Sequence, residues 1–296
     1  MKYNLKIISV LVSLFFIAQI VGLSILYKDT KVELVDGKQE VVHGETVIGP
    51  RPEFYGPQSF IWIISSIFLM TGLLLILIKF EKINWVKVLF FSATFLTLSV
   101  ALGVLISPDL AFILGLVLAV IKIYKPNKIT HNIIEMLMYS GLAVILVPLF
   151  DLTWMILLLI VISAYDIYAV WRSRHMIKMA TFQMKSKIFT GLLIPLKASV
   201  KKRSRVKGKG VKVEEAIMGS GDVAFPLMYS GVVMERLIKV GQLAKELAFV
   251  KTLIIPVIVS LVVLFLLIQG KRGKYYPGMP FITGGCLLGS LFVLII

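Results

Sequence analysis

The apolar residues of this chain fall in blocks of about 20 residues, and nothing else in the sequence constrains the fold as strongly. A surface helix of a water-soluble domain keeps a polar face. These blocks keep none, and their length matches the ~30 Å hydrocarbon core of a bilayer. Backbone in lipid must satisfy its own hydrogen bonds, so blocks of this kind cross as helices. Composition agrees: 58% of residues are hydrophobic and 16% charged, with a mean hydropathy of +0.92. A soluble domain carries about 25% charged residues. The expected class is an all-α membrane protein.

Nine spans can be marked, at Leu5–Tyr27, Gln58–Ile78, Trp85–Ile106, Asp109–Ile123, Ile133–Phe150, Leu152–Trp171, Asp222–Val240, Leu247–Ile268 and Tyr276–Ile296. The first block follows Lys2 but has no A-x-A-like cleavage site after it, and is read as a retained span rather than a signal peptide. The seventh is the least apolar and carries Asp222, Glu235 and Arg236. Loop charge argues for keeping it. With nine spans, 24 of the 32 Lys and Arg fall on the amino-terminal side. The positive-inside rule then puts the amino terminus in the cytoplasm and the carboxyl terminus outside. Without the seventh span, Lys271, Arg272 and Lys274 would lie outside. The expected organisation is spans 1–6 in residues 1–171, a basic cytoplasmic loop at 172–218, and spans 7–9 in residues 219–296.

Two loops are long. The outer one, at 28–57, reads as a small hairpin over Val32–Val35 and Lys38–Val42, because Asp36-Gly37 suits a type I′ turn. The cytoplasmic one begins with a basic, partly apolar stretch, Met176 to Leu196, read as lying in the interface. Lys197 to Lys212 is strongly basic and is assigned to anionic lipid. The formal charge of +16 therefore reports topology and lipid, and no nucleic-acid partner is expected. Cys286 is the only cysteine, which excludes an intrachain disulfide and a multi-cysteine metal site.

Ionisable groups inside spans are costly and default to function. Asp109, Glu135 and Asp151 sit near span ends, where water reaches them. Asp166 differs, lying inside the run Met155 to Val170. At 1.5 Å per residue it is roughly 8 Å from the end of its helix. Asp222 opens the next span, after Gly219, Ser220 and Gly221. Consecutive antiparallel helices bring both to one depth. Gly219 and Gly221 are expected to allow close backbone approach and positive φ before the aspartate, and to let the helix start unwind. Two close carboxylates share a proton, the arrangement with which aspartic proteases activate water and protonate the leaving nitrogen. A proton- or cation-coupled transporter would use such a pair as well, and spacing alone leaves both readings open.

The residues also resemble a known family. Tyr165-Asp166 is similar to the Tyr-Asp motif of presenilins and signal peptide peptidases. Gly219-Ser220-Gly221-Asp222 resembles their Gly-x-Gly-Asp motif. Pro277-Gly278-Met279-Pro280 sits where that family has Pro-Ala-Leu. The motifs fall in order on spans six, seven and nine, and the chain looks most like the archaeal presenilin homologues. The departures are Ser220, where animal presenilins have leucine, and Gly278-Met279 in place of Ala-Leu. The resemblance implies an intramembrane aspartic endopeptidase with Asp166 and Asp222 catalytic and no metal or cofactor. It implies a multi-pass enzyme of the cell membrane acting on transmembrane helices. The substrate helix must unwind, and strand addition would pair its freed backbone. Val211 to Val213 and Pro277 to Pro280 are the candidate strands.

His43, His131 and His175 are too scattered for a metal site. Cys286 is read as a small buried hydrophobe. Gly284, Gly285, Gly289 and Ser290 are read as helix-packing residues.

Overall fold

A computed structural model describes residues 5–51, 54, 56–125, 127–172, 189–195, 215–270 and 276–295. Its helices are α1 Leu5–Asp29, α2 Pro57–Lys79, α3 Ile83–Gly103, α4 Pro108–Tyr124, α5 Lys128–Leu146 and α6 Leu152–Ile167. They continue with α7 Ser220–Lys239, α8 Lys245–Thr252, α9 Ile254–Gln269 and α10 Met279–Ile295. Among the described residues, six helical segments are long and apolar enough to cross a membrane, with α8 and α9 counting as one. Helix α10 is apolar but shorter.

Helix α7 is not among the six, and its position explains why. It forms the axis of the bundle, with fourteen of its residues buried, from Val223 to Ile238. A helix wrapped by other helices has no lipid to face, so its composition can be polar. Helix α2 is the converse. Only Ser59 and Ile63 are buried, and Trp62, Leu69 and Ile76 are more than half exposed, as a lipid-facing surface requires. The core lies where α1, α5, α6 and α10 close on α7, around Phe15, Leu23, Val144, Leu158, Tyr229 and Cys286. Glycines set the closest approaches. A Cβ on Gly141 of α5 would fall against the Thr97 carbonyl of α3. Gly285 and Gly289 of α10 lie against Val259 and Ile255 of α9, while a Cβ on Gly284 would meet open space.

The loop at 28–57 forms the expected hairpin. Strands β1 Lys31–Val35 and β2 Lys38–Val42 pair antiparallel. Asp36 and Gly37 join them at φ 50° and 77°, the positive values of a type I′ turn. The loop is fastened to the ends of α1 and α7 by a part-buried ionic cluster. Arg51 donates to both Asp29 oxygens at 2.7 and 2.9 Å, to Gly44 O at 2.9 Å and to Val144 O at 2.6 Å. His43 lies 3.1 Å from Asp29 and 3.0 Å from Glu235.

Several span boundaries move. Helix α5 starts at Lys128, five residues before the expected Ile133, because Asn127 accepts from Ile129 N–H and caps it. The eighth segment breaks between Thr252 and Ile254. The ninth helix begins at Met279 rather than Tyr276. Of the stretch assigned to the interface, the described part forms strand β3 Gly191–Pro195, paired antiparallel with β4 Glu215–Gly219. Val211 to Val213 and Lys197 to Lys212 lie outside the described residues.

Candidate active site

Asp166 lies one helical turn after Ser163 on α6. Ser163 bonds Thr283 of α10 at 2.8 Å, clamping the two helices together just before the carboxylate. Beyond Ile167 the helix widens into a π turn, Tyr168–Arg172, a feature that recurs at functional sites. Asp166 is buried, with 6% exposure, and accepts the backbone N–H of Met279 at 3.1 Å. Met279 opens α10, so its N–H has no partner within its own helix. Asp166 supplies that partner from a neighbouring helix.

Asp222 occupies the third position of α7, after the N-cap Gly219. From there it reaches back to the Gly219 N–H, as the acidic member of a capping box does. The dipole of the helix start favours a negative charge at this point. Pro226 has no N–H to give the Asp222 carbonyl, which loosens the helix at this position. Gln19 of α1 donates to Val223 O at 2.8 Å and holds the first turn in place.

The two carboxylates meet at one peptide. Asp166 bonds Met279 N, and a Cβ placed on Gly278 would stand 3.0 Å from Asp222 Oδ1. The pair lies within electrostatic reach across the Gly278-Met279 unit. Pro277 is buried and Pro280 half-buried. Pro280 occupies the first turn of α10, where its missing N–H costs nothing, so only Pro277 and Gly278 of this motif are non-helical. Valine at Gly278 is expected to lower activity at the aspartates about 10²-fold or more by displacing one carboxylate. Gly278 is absent from the positive-φ positions, so the melting temperature should barely move. Initial rates and melting of the purified variant check both.

The glycines before Asp222 provide the expected close approach but not the expected positive φ or unwinding. Gly219 has φ −63° and ψ 147°, ordinary extended backbone, and the helix begins directly at Ser220. Gly221 also lies outside the positive-φ set. What Gly219 contributes is the absence of a side chain: its Cβ would sit 3.3 Å from Asp222 Oδ2. Ser220 is half-buried in the first turn of α7. Tyr165 packs edge-on to Phe68 of α2 at 5.4 Å between ring centres.

Strand β4 runs straight into Gly219, and β3 is fixed to α5 by side chains. Asn132 donates to Leu193 O at 2.8 Å and accepts from Leu193 N at 2.9 Å, as a neighbouring strand would. His131 bonds Gly191 O at 2.9 Å. Leu193 therefore faces α5, and by alternation its partner Ile217 points both backbone groups away from β3. Among the described residues no third strand pairs with that edge, which leads to Asp222.

Sequence reasoning missed β3, Asn132 and Gln19, and it placed Glu135 at a water-accessible end. Glu135 is fully buried and paired with Lys122 at 2.5 Å. Asp151 is exposed and caps α6 through Trp154 N–H. Cys286 and the small residues Gly285, Gly289 and Ser290 pack α10, Ser290 also accepting from Tyr229. His175 lies outside the described residues, and among the described residues no cluster of His, Cys, Asp and Glu could hold a metal.

Apolar helices around a polar axis, with two carboxylates at one helix start, define a multi-pass integral membrane protein with an acid pair, Asp166 buried and Asp222 half-buried. The sequence matches the family model "Signal-peptide peptidase, presenilin aspartyl protease" over residues 51–296. The chain belongs to that family of peptide hydrolases. Two solved structures of a presenilin family intramembrane aspartate protease share the fold. The one in space group C222 aligns with a TM-score of 0.60 at 15% identity, covering 97% of this chain and 98% of that one. The one in space group P2 aligns with a TM-score of 0.58 at 17% identity, covering 96% of each. No curated protein sequence matches.

Proposed function

We propose that this protein is an intramembrane aspartic endopeptidase of the cell membrane that hydrolyses peptide bonds within transmembrane helices, with Asp166 and Asp222 as its catalytic pair. The observation that carries this reading is the convergence of both carboxylates on the Gly278-Met279 unit. Two carboxyl groups at such range hold one proton between them. The ionised one takes a proton from water as it attacks the scissile carbonyl. The protonated one donates to the carbonyl oxygen, and the leaving nitrogen is then protonated. Gly219, Ser220 and Gly221 shape the approach to Asp222. Pro277, Gly278, Met279 and Pro280 shape the other wall, and Tyr165 lines the way in.

Nine crossings, with the amino terminus cytoplasmic and the carboxyl terminus outside, fit this reading. They put the hairpin and its ionic cluster at the end of α7 opposite Asp222. A substrate helix entering from lipid reaches the pair past α2, the least buried helix, along a groove lined by Ile64, Ile67, Phe68, Val161, Ile162 and Tyr165. Once unwound, it finds backbone partners on the open edge of β4. Substrates are thus single transmembrane segments, and the surrounding lipid is the other partner.

The test is incubation of the purified protein in detergent with a labelled single-span peptide, without any cation gradient. Products cut within the span are expected. Failure across several peptides, joined to cation-driven uptake in liposomes, would transfer the aspartates to the alternative role of coupling groups in a carrier.

A further inference from the structure

A second polar cluster lies behind the aspartates, on the face of α5 that turns to β3 and α7. Its members are Lys122 of α4 with His131, Glu135 and Tyr139 of α5, the last three spaced four residues apart and so on one helix face. All are buried. Lys122 is 6% exposed, His131 6%, Glu135 0% and Tyr139 3%. Lys122 Nζ contacts Glu135 Oε1 at 2.5 Å and Met138 Sδ at 2.7 Å. His131 stands 3.8 Å from the same carboxylate oxygen.

A buried ion pair adds little to stability, because desolvating both charges offsets their attraction. Deep in an apolar bundle it calls for another use. The geometry shows one. The other carboxylate oxygen, Glu135 Oε2, is sealed from solvent without a well-formed hydrogen bond, and so is Tyr139 Oη one turn further on. Between them these two atoms can satisfy each other only one way round. A carboxylate paired with Lys122 can only accept, so the tyrosine must donate. With its proton directed to Glu135, the tyrosine presents its lone pairs on the opposite side. Helix α5 packs on α7, which carries Asp222, and that carboxyl lies within electrostatic reach of the tyrosine. The same α5 face holds β3 through His131 and Asn132, and β3 pairs Gly191 with Gly219, three residues before Asp222.

We propose that Tyr139 is a positioning residue of the aspartate pair, its hydroxyl oriented by the Lys122–Glu135 ion pair so that its oxygen accepts, across one water, from the protonated Asp222 carboxyl. The titratable groups facing this line are Lys122 from α4, His131 and Glu135 from α5, Asp166 from α6 and Asp222 from α7. The inference rests on the peptidase reading for its consequence in catalysis, though not for the hydrogen bond itself.

Two readouts on the full-length protein separate the two. Infrared spectroscopy in detergent reports protonated carboxyl groups, and the Asp222 band is the one that disappears in Asp222→Asn. Tyr139→Phe keeps the ring and its packing, and is expected to shift that band. On a single-span substrate it should lower kcat about tenfold, near the bottom of the range for losing a group that assists proton transfer, with KM within about twofold. Glu135→Gln, which donates as well as accepts and frees the tyrosine proton, should reproduce the spectral shift. An Asp222 band and a kcat unchanged in Tyr139→Phe would overturn the proposal. A shifted band in a protein that cleaves nothing would keep the hydrogen bond and remove the peptidase reading instead. A loss of melting temperature alone, with the band in place, would reduce Tyr139 to packing and also overturn it.

Discussion

Asparagine at Asp222 or at Asp166 is expected to lower cleavage by about 10⁴-fold or more, the size of loss seen when one member of a catalytic unit is removed. The substitution keeps shape and hydrogen-bond reach. The amide oxygen of Asp222→Asn can still accept from Gly219 N–H, and that of Asp166→Asn from Met279 N–H. What vanishes is the exchangeable proton of one partner and the charge of the other, so neither water activation nor leaving-group protonation survives. The fold should not suffer. Two carboxylates held together are a source of repulsion, so the melting temperature of either variant should match or exceed that of the parent. Cleavage rate and thermal melting, measured on the same preparations, check both halves.

Arg51→Ala should destabilise the bundle by about 3 kcal/mol, the low end of the cost of breaking a buried ion pair from one side, because this pair is part-buried. Asp29 would lose its two charge-assisted bonds, and the Gly44 and Val144 carbonyls one each. Arg51→Lys should recover little, because a single ammonium cannot replace a planar fork that spans three partners. The cluster also makes stability depend on pH through His43. Burial disfavours the charged ring, but the hydrogen bonds to Asp29 and Glu235 outweigh it, and the His43 pKa is raised above its ordinary 6.5. Arg51, and more distantly Lys239 beside Glu235, oppose this. A group whose folded-state pKa is raised stabilises fully below the unfolded value and loses that contribution as pH rises through the folded one. The melting temperature should therefore fall on the alkaline side of 6.5, and His43→Gln should flatten that slope. Denaturation monitored by cysteine reactivity at Cys286, fully buried in the native bundle, measures each variant.

The fold class was legible because bilayer thickness writes itself into the length of apolar blocks, as in α1 and α2. The seventh segment was legible only through loop charge, since a helix on the bundle axis need not be apolar. Asp36-Gly37 announced the hairpin because its turn requires positive φ. At the site, Asp166, Asp222 and the Pro277–Pro280 stretch are conspicuous as residues that lipid or helix would not tolerate without reason. Their meeting at Gly278-Met279 depends on the return of α10, which no local pattern encodes. Gly219 illustrates the difference between a residue and its use: glycine suggested both positive φ and close approach, and the chain uses only the second, as room for a carboxylate. Glu135 looked like a span-end residue because its partner Lys122 sits on the preceding helix. Strand β3 was hidden in a basic stretch, where Gly191 and Pro195 bound a short apolar run that pairs with a segment some 25 residues later.

The measurement closest to the central claim is mass spectrometry of products from a single-span substrate co-reconstituted with the protein in liposomes. The account predicts cuts inside the span, absent from both Asp166→Asn and Asp222→Asn. Cuts that persist in either variant, or that fall only outside the span, would contradict it.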